Sequence, residues 1–428
     1  MIGKKKRQVL ALMAFASFAT VVPTLVSANT LIDEYNKSLS FDALYLQAKA
    51  DYNGAKESTL SAWSSFFPQV SASGNLLNNY SEQLNNSFSV NVRQTVFNWS
   101  AIRQVSVANA QVQQAVDFLS ASEQDLMQRV ANGYFAVVRA HELVRVMERQ
   151  LEAMTSQLHA VHERYNVGHA TVTDLDRVQA NYDLYRSQLV TVKMNLSAAK
   201  QALSEMTGDL IQTVPRLKDD FKPVAPVPLK LSVWQDKVTQ GNLSVKTANQ
   251  AMVVAKEGIG VKRGGYFPTL SLSGSYYPDK YYDTGKNLIY GLSVSFNAFQ
   301  GGYTFAEVGK AQAAYQKTAA KRDAALRSAL SMMNNSYNGM LEGVEQIEAE
   351  KLAVGSNQSA LKNTEKGYIA GTQTILDVLD QQNKLFEAER TYVEGRINYL
   401  NSVVSLELAA GTLKPVVLAG IQAWFADK

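Results

Sequence analysis

The sequence predicts a mixed fold, all-α helical hairpins joined to transmembrane β-strands, built from duplicated helix-strand-strand-helix repeats. Three observations predict it: a long internal repeat, two proline-free stretches of helix-forming residues, and short segments in which apolar and small polar residues alternate.

The repeat is read directly. Phe66-Phe67-Pro68-Gln69-Val70-Ser71-Ala72-Ser73-Gly74 returns as Tyr266-Phe267-Pro268-Thr269-Leu270-Ser271-Leu272-Ser273-Gly274. Tyr165-Asn166-Val167-Gly168 returns as Tyr368-Ile369-Ala370-Gly371, after which Asp174 matches Asp377. Order and spacing persist through both halves, so the chain divides into residues 1–28, a first repeat 29–208, a linker 209–230, a second repeat 231–411 and a terminal segment 412–428. The linker holds Pro215, Pro223, Pro226 and Pro228 and reads as extended.

No proline lies between Pro68 and Pro215 or between Pro278 and Pro415, and Ala, Gln, Leu, Glu and Arg fill both gaps. A helix is therefore expected over residues 100–166, on the order of 100 Å long at 1.5 Å per residue, and a second over 303–368. Each breaks at a Gly turn and returns, over 172–207 and 373–410, ending at Gly208 and Gly411 as suitable C-caps. Earlier helices are expected at 38–65 and 231–263. Each early helix and its return helix together match the long one, so they should stack end to end alongside it, and such hairpins need lateral neighbours.

Composition removes several function classes. There is no Cys, hence no disulfide, thiolate metal site, Cys nucleophile or lipid-modified N-terminal Cys. Lys4, Lys5, Lys6 and Arg7 precede an uncharged run Val9–Val22, then Pro23 and Val26-Ser27-Ala28, the three parts of a cleaved signal peptide. Residues 1–28 hold no acid, so their removal lowers Lys+Arg from 42 to the 38 of Asp+Glu, and a neutral mature chain gives no nucleic-acid footprint. No nucleophile, base and orienting group cluster, so neither an enzyme nor a cofactor is expected. His159, His162 and His169 lack a third fixed ligand and read as exposed helix positions, not a metal site. Gly258, Gly260, Gly264 and Gly265 precede a strand, the reverse of the order a phosphate loop needs, and read as helix termination.

Strands are expected at 67–78, 87–98, 268–277 and 288–299. Phe88, Val90 and Val92 alternate with Ser89, Asn91 and Arg93, and Tyr290, Leu292, Val294 and Phe296 with Gly291, Ser293, Ser295 and Asn297. A tilted strand of about 9–11 residues crosses a bilayer. Aromatics flank both ends: Phe66, Phe67, Phe97, Trp99, Tyr266, Phe267, Phe299 and Tyr303 on the helix side, Tyr80, Tyr276, Tyr277, Tyr281 and Tyr282 on the loop side, as in the girdles of membrane barrels. The soluble alternative is a sheet with its apolar face on a core, but few other segments could cover it. Four strands leave open edges, so a membrane barrel requires two or more copies, and three give twelve strands.

These features together resemble the TolC-type outer-membrane channels of export systems. The resemblance spans the mature chain and rests on the repeated strand entries, on Gln94-Thr95-Val96-Phe97-Asn98 and Asn297-Ala298-Phe299-Gln300-Gly301-Gly302, and on Arg164-Tyr165-Asn166-Val167-Gly168 before Thr173-Asp174. Its most specific part is Tyr368-Ile369-Ala370-Gly371-Thr372-Gln373-Thr374-Ile375-Leu376-Asp377-Val378-Leu379-Asp380, with Ala409-Ala410-Gly411-Thr412-Leu413 downstream. It implies a homotrimer with a twelve-stranded barrel in outer-membrane lipid, continued by a periplasmic α-helical barrel. It further implies an exit duct for drug efflux or type I protein secretion. The partners implied are a periplasmic adaptor and an inner-membrane transporter of ABC, RND or MFS type. Adaptor docking would fall on Val167, Gly168, Ala370 and Gly371.

The resemblance also implies a gate at the two Gly turns, formed by Asp377, Asp380, Tyr368, Gln373, Thr173 and Asp174. In a trimer, Asp377 and Asp380, on one helix face, would give two carboxylate rings that favour cations. The same residues admit a plainer reading, since Thr171-x-x-Asp174 and Thr374-x-x-Asp377 fit capping boxes, although Asp380 lies a turn beyond. Gln373 departs from the family, where Arg is frequent; a neutral amide links more weakly, leaving Tyr368 to bond acids such as Asp174. A periplasmic helical-hairpin adaptor or scaffold is the competing class, and it would show one hairpin between compact β-domains.

Overall fold

A computed structural model describes residues 30–78, 84–278 and 287–426. The expected signal peptide and the loop aromatics Tyr80, Tyr281 and Tyr282 lie outside these residues. The elements run α1 (Leu31–Phe41), α2 (Ala43–Ser64), β1 (Gln69–Asn78), β2 (Leu84–Phe97), α3 (Trp99–Asn166) and α4 (Val172–Thr207) in the first repeat. The second repeat has α5 (Leu231–Gly241), α6 (Leu243–Arg263), a 3₁₀ turn Gly264–Tyr266, β3 (Thr269–Tyr276), β4 (Leu288–Ser295), α7 (Tyr303–Ile369) and α8 (Ile375–Ala409), and α9 (Pro415–Gln422) follows.

The long helices α3 and α7 have 68 and 67 residues, with the sheet at one end and the Gly turns at the other. α2 and α4 both pack along α3, and α6 and α8 along α7. The ends of α5 and α8 meet closely: a Cβ on Gly241 would stand 2.6 Å from the Ala410 carbonyl oxygen. Gly411, at φ +70°, lies equally tight against Gly241, so both positions require glycine for this junction.

The early helices differ from the sequence reading. Instead of one helix over 38–65 there are two, broken at Asp42, and instead of one over 231–263 there are two, broken at Asn242. Each break residue has extended backbone and starts the next helix as its N-cap: Tyr45 N–H donates to Asp42 Oδ1 (2.8 Å) and Val245 N–H to Asn242 Oδ1 (2.9 Å). Long-range bonds hold both breaks. Arg129 grips Asp42 bidentately at 2.7 and 2.9 Å, and Asn242 Nδ2 donates to the Ala409 carbonyl at 2.9 Å. α1 also begins earlier than expected, with Thr30 and Asp33 forming its capping box.

Around mid-length the linker and α9 bind back onto the helices. Leu217 bridges Phe425, Tyr399 Oη both accepts from Val224 N–H (2.8 Å) and donates to its carbonyl (2.7 Å), and Trp234 Nε1 donates to Pro228 O (2.9 Å). In the core here Phe135 stacks on Phe425 and Tyr134 meets Phe425 edge to face, each fully buried large side chain worth about 1.5–3 kcal/mol.

The strands form one antiparallel sheet in the order β1-β2-β3-β4. β4 ends at Ser295, short of the expected 299. Ser295 pairs with Thr269, and the next partner would be Pro268, which has no N–H for the ladder.

Candidate functional site

The residues singled out from the sequence fall in two regions at opposite ends of the long helices. The first is the sheet. Its register aligns the apolar residues on one face: Val70 opposite Val92, Ala72 opposite Val90, Val90 opposite Tyr276, and Leu270, Leu272 and Tyr276 opposite Val294, Leu292 and Leu288. The other face is small and polar, with Ser73 Oγ 2.9 Å from Ser89 Oγ and Ser275 Oγ donating to Asn91 Oδ1 at 2.7 Å. A bulge between Thr95 and Phe97 resets the register where β2 leaves the sheet.

None of the described residues covers the apolar face. Tyr290 is 79% exposed, with Val70, Leu272, Leu292 and Val294 also open. The predicted girdle residues fall at the sheet's two ends. Phe67, Phe97, Trp99, Phe267 and Phe299 stand at the helix side, where Trp99 stacks on Phe267 at 4.9 Å, and Tyr276 and Tyr277 at the loop side. The outer edges of β1 and β4 have no ladder partner among the described residues. No described helix is long and apolar enough to cross a membrane.

The second region is the far tip, where each long helix ends on a left-handed glycine, Gly168 and Gly371, both at φ +79°. A side chain there would be strained. The bonds closing the turns correspond: His169 N–H donates to Arg164 O (2.8 Å) and Thr372 N–H to Gly367 O (2.9 Å). Three residues past each glycine a Thr caps the return helix. Asp174 N–H donates to Thr171 Oγ1 (3.1 Å) while Thr171 N–H donates to Asp174 Oδ2 (3.1 Å), and the same pair of bonds joins Thr374 and Asp377 at 3.2 and 2.8 Å.

The capping bonds from Thr374 hold the Asp377 carboxyl below the usual aspartate range. Asp380, one turn on, pairs with Lys384 at 2.6 Å. Asp377, Asp380, Gln373 and Thr173 are all exposed, as are Val167, Gly168, Ala370 and Gly371.

Within the chain, Tyr368 and Asp174 are not bonded to one another. The Arg164 guanidinium lies over the Tyr368 ring at 4.6 Å and joins the two repeats at the tip. Beneath them sits a small core of Met154, Val161, Val178, Ile375, Val378 and Leu379, where Tyr185 Oη donates to Asn383 Oδ1. The sequence reading gave no role to Arg164, Lys384 or Asn383. Lys384 was readable from its i, i+4 spacing to Asp380; the other two are joined to partners about 200 positions away.

The comparisons with known proteins agree with this architecture. The sequence profile of the outer membrane efflux protein family matches residues 36–209 and 234–412, one match per repeat. The chain is 28% identical over 421 residues to outer membrane protein TolC of Vibrio cholerae, covering 95% of this chain and 96% of that one. It is 26% identical over 319 residues to the proteases secretion protein PrtF of Dickeya chrysanthemi, covering 71% and 67%. Its fold matches the CmeC outer membrane channel of Campylobacter jejuni with a TM-score of 0.78 at 15% identity, over 92% and 89% of the two chains. The match to VceC of Vibrio cholerae has a TM-score of 0.76 at 18% identity, over 89% and 96%. An outer-membrane location excludes the soluble periplasmic scaffold. The chain belongs to the outer membrane efflux protein family: it is a TolC-type outer-membrane channel protein, not an enzyme, whose helical part lies in the periplasm.

Proposed function

We propose that three copies of this chain join edge to edge, β1 of one to β4 of the next, into a twelve-stranded barrel continued by a helical tunnel. The observation that carries this reading is a four-stranded sheet whose two edges are unpaired and whose apolar face is uncovered among the described residues. In lipid each unpaired backbone group costs several kcal/mol, and closure by other copies removes the edges. The assembly is an export duct that docks a periplasmic adaptor at Val167, Gly168, Ala370 and Gly371 and receives cargo from an inner-membrane transporter.

The tip is its gate. Asp377 and Asp380 form two rings of carboxylates around the three-fold axis, and multivalent cations entering there block the channel. The Tyr368 phenol bonds Asp174 of a neighbouring copy, a link that Gln373 cannot replace with a charged bond. Single-channel recording tests this: Tyr368→Phe raises the resting conductance, and an unchanged conductance refutes the link. The chain is free of Cys, so a single cysteine at Val167 or Ala370 carrying a photo-cross-linker captures the adaptor in cells. Failure to capture any adaptor from both positions refutes docking at the turns.

A further inference from the structure

Midway along the helices, tipward of the linker belt, α3, α7, α8 and the linker enclose a cleft of about 260 Å³. Its charged lining is Arg145, Arg149, Lys351 and Arg396 against Asp219 and Glu389, an excess of two positive charges. Two of the cations are already matched. Arg145 bonds Glu142 at 2.6 Å and Arg149 bonds Glu389 at 3.2 Å.

Arg396 has no hydrogen-bonded partner among the described residues. It is only 5% exposed, yet no carboxylate or carbonyl of the described residues accepts a hydrogen bond from its guanidinium, and Nε is buried without a partner. The ring of Tyr392, 4.5 Å from the guanidinium carbon, covers a face and not the donor edge, and the carboxylates of Glu142 and Asp219 act on Arg396 through space without accepting a hydrogen bond from it. Lys351, on the opposite wall, is exposed and likewise has no acidic partner among the described residues. Arg145 Nε is a second buried donor without an acceptor at the same place.

A buried guanidinium is ordinarily paired, because stranding its charge and five donors away from water is costly. The missing acceptor must carry negative charge, present several oxygens to a planar fork and fit a volume below that of drug-sized pockets. Phosphate meets each requirement, and its charge of about −1.5 to −2 at neutral pH balances the lining.

We propose that this cleft is a binding site for a small divalent oxyanion of the phosphate type, held by Arg396 as a bidentate fork and by Lys351 as a point charge. The lining of the site comes from a single chain.

Isothermal titration calorimetry of sodium phosphate into the detergent-solubilised full chain tests it, with ionic strength held constant by chloride. The expected result is saturable binding at one phosphate per chain, with acetate weaker. Arg396→Gln weakens it by about tenfold or more, as loss of charged hydrogen bonds implies, and Lys351→Gln weakens it measurably. Lys193→Gln, a surface control on α4, leaves it unchanged. Absence of saturable heat above the chloride control overturns the proposal, as it would if a neighbouring copy's carboxylate already filled the cleft. Equal affinity in Arg396→Gln and the native chain overturns it too. Should Arg396→Gln not assemble, the exposed Lys351→Gln decides, and an unchanged affinity there overturns the assignment.

Discussion

The two tip turns are the same backbone carrying different side chains. Gly168 and Gly371 share one left-handed conformation, Thr171 and Thr374 make the same cap, and Asp174 and Asp377 complete the same box. Beyond these the copies diverge. Ile375 is buried (2% exposed), whereas Val172, its counterpart, is 55% exposed. Asp380 stands where the first repeat has Arg177, and Arg164 stands where the second has Gly367. Folding signals have thus been kept in both repeats, each return helix also carries two Asp in its first turns (Asp174 and Asp176, Asp377 and Asp380), and it is the apolar anchorage that is concentrated in the second. The second turn is the better anchored of the two, and the first supplies the cation that clamps Tyr368.

The largest expected effect separates the two anchors. Ile375→Ala removes a buried side chain from the tip core and costs about 2–4 kcal/mol locally. Amide exchange over the first turns of α8 should quicken accordingly, and equal exchange in the variant and the native chain breaks the claimed asymmetry. Next is charge: Asp377→Ala with Asp380→Ala should weaken block by a trivalent cation by at least about tenfold, while Asp174→Ala should not. Persistence of block in the double variant removes the ring assignment. Equal loss in Asp174→Ala removes the distinction between the repeats.

Capping effects are smaller. Thr374→Ala should cost about 1 kcal/mol at the start of α8, seen as faster exchange there and not in α4. Because its folded carboxyl value is lowered, Asp377 adds stability that is present above the ordinary aspartate value of about 3.9 and is lost as pH falls through the lowered one. Exchange in the first turn of α8, corrected for intrinsic rates, should therefore accelerate on acidification, and Asp377→Asn should flatten that response. Least affected is Val172→Ala, expected within about 0.5 kcal/mol of the native chain.

Much of this was legible in the sequence because it depends on local chemistry. The Gly turns and Thr-x-x-Asp caps need only a few neighbouring residues, and the strand alternation survives as the paired apolar face of the sheet. What escaped was decided across long separations. Asp42 and Asn242 lie in helix-compatible sequence, and their breaks are held by Arg129 and by the Ala409 carbonyl. The linker was readable as extended, but not its attachment to Phe425 and Tyr399. Likewise β4 stops where Pro268 on the neighbouring strand removes a donor, and nothing within β4 itself signals this.

The central claim is that this sheet is completed by other copies of the same chain. One cysteine on each outer strand of the cysteine-free chain, scanned over residues 69–74 of β1 and 289–295 of β4, tests it by short-span cross-linking in membranes. Covalent species ending at three chains, formed only when both cysteines are present, are the predicted result. Cross-links confined within single chains, or a ladder stopping at two, would contradict the account.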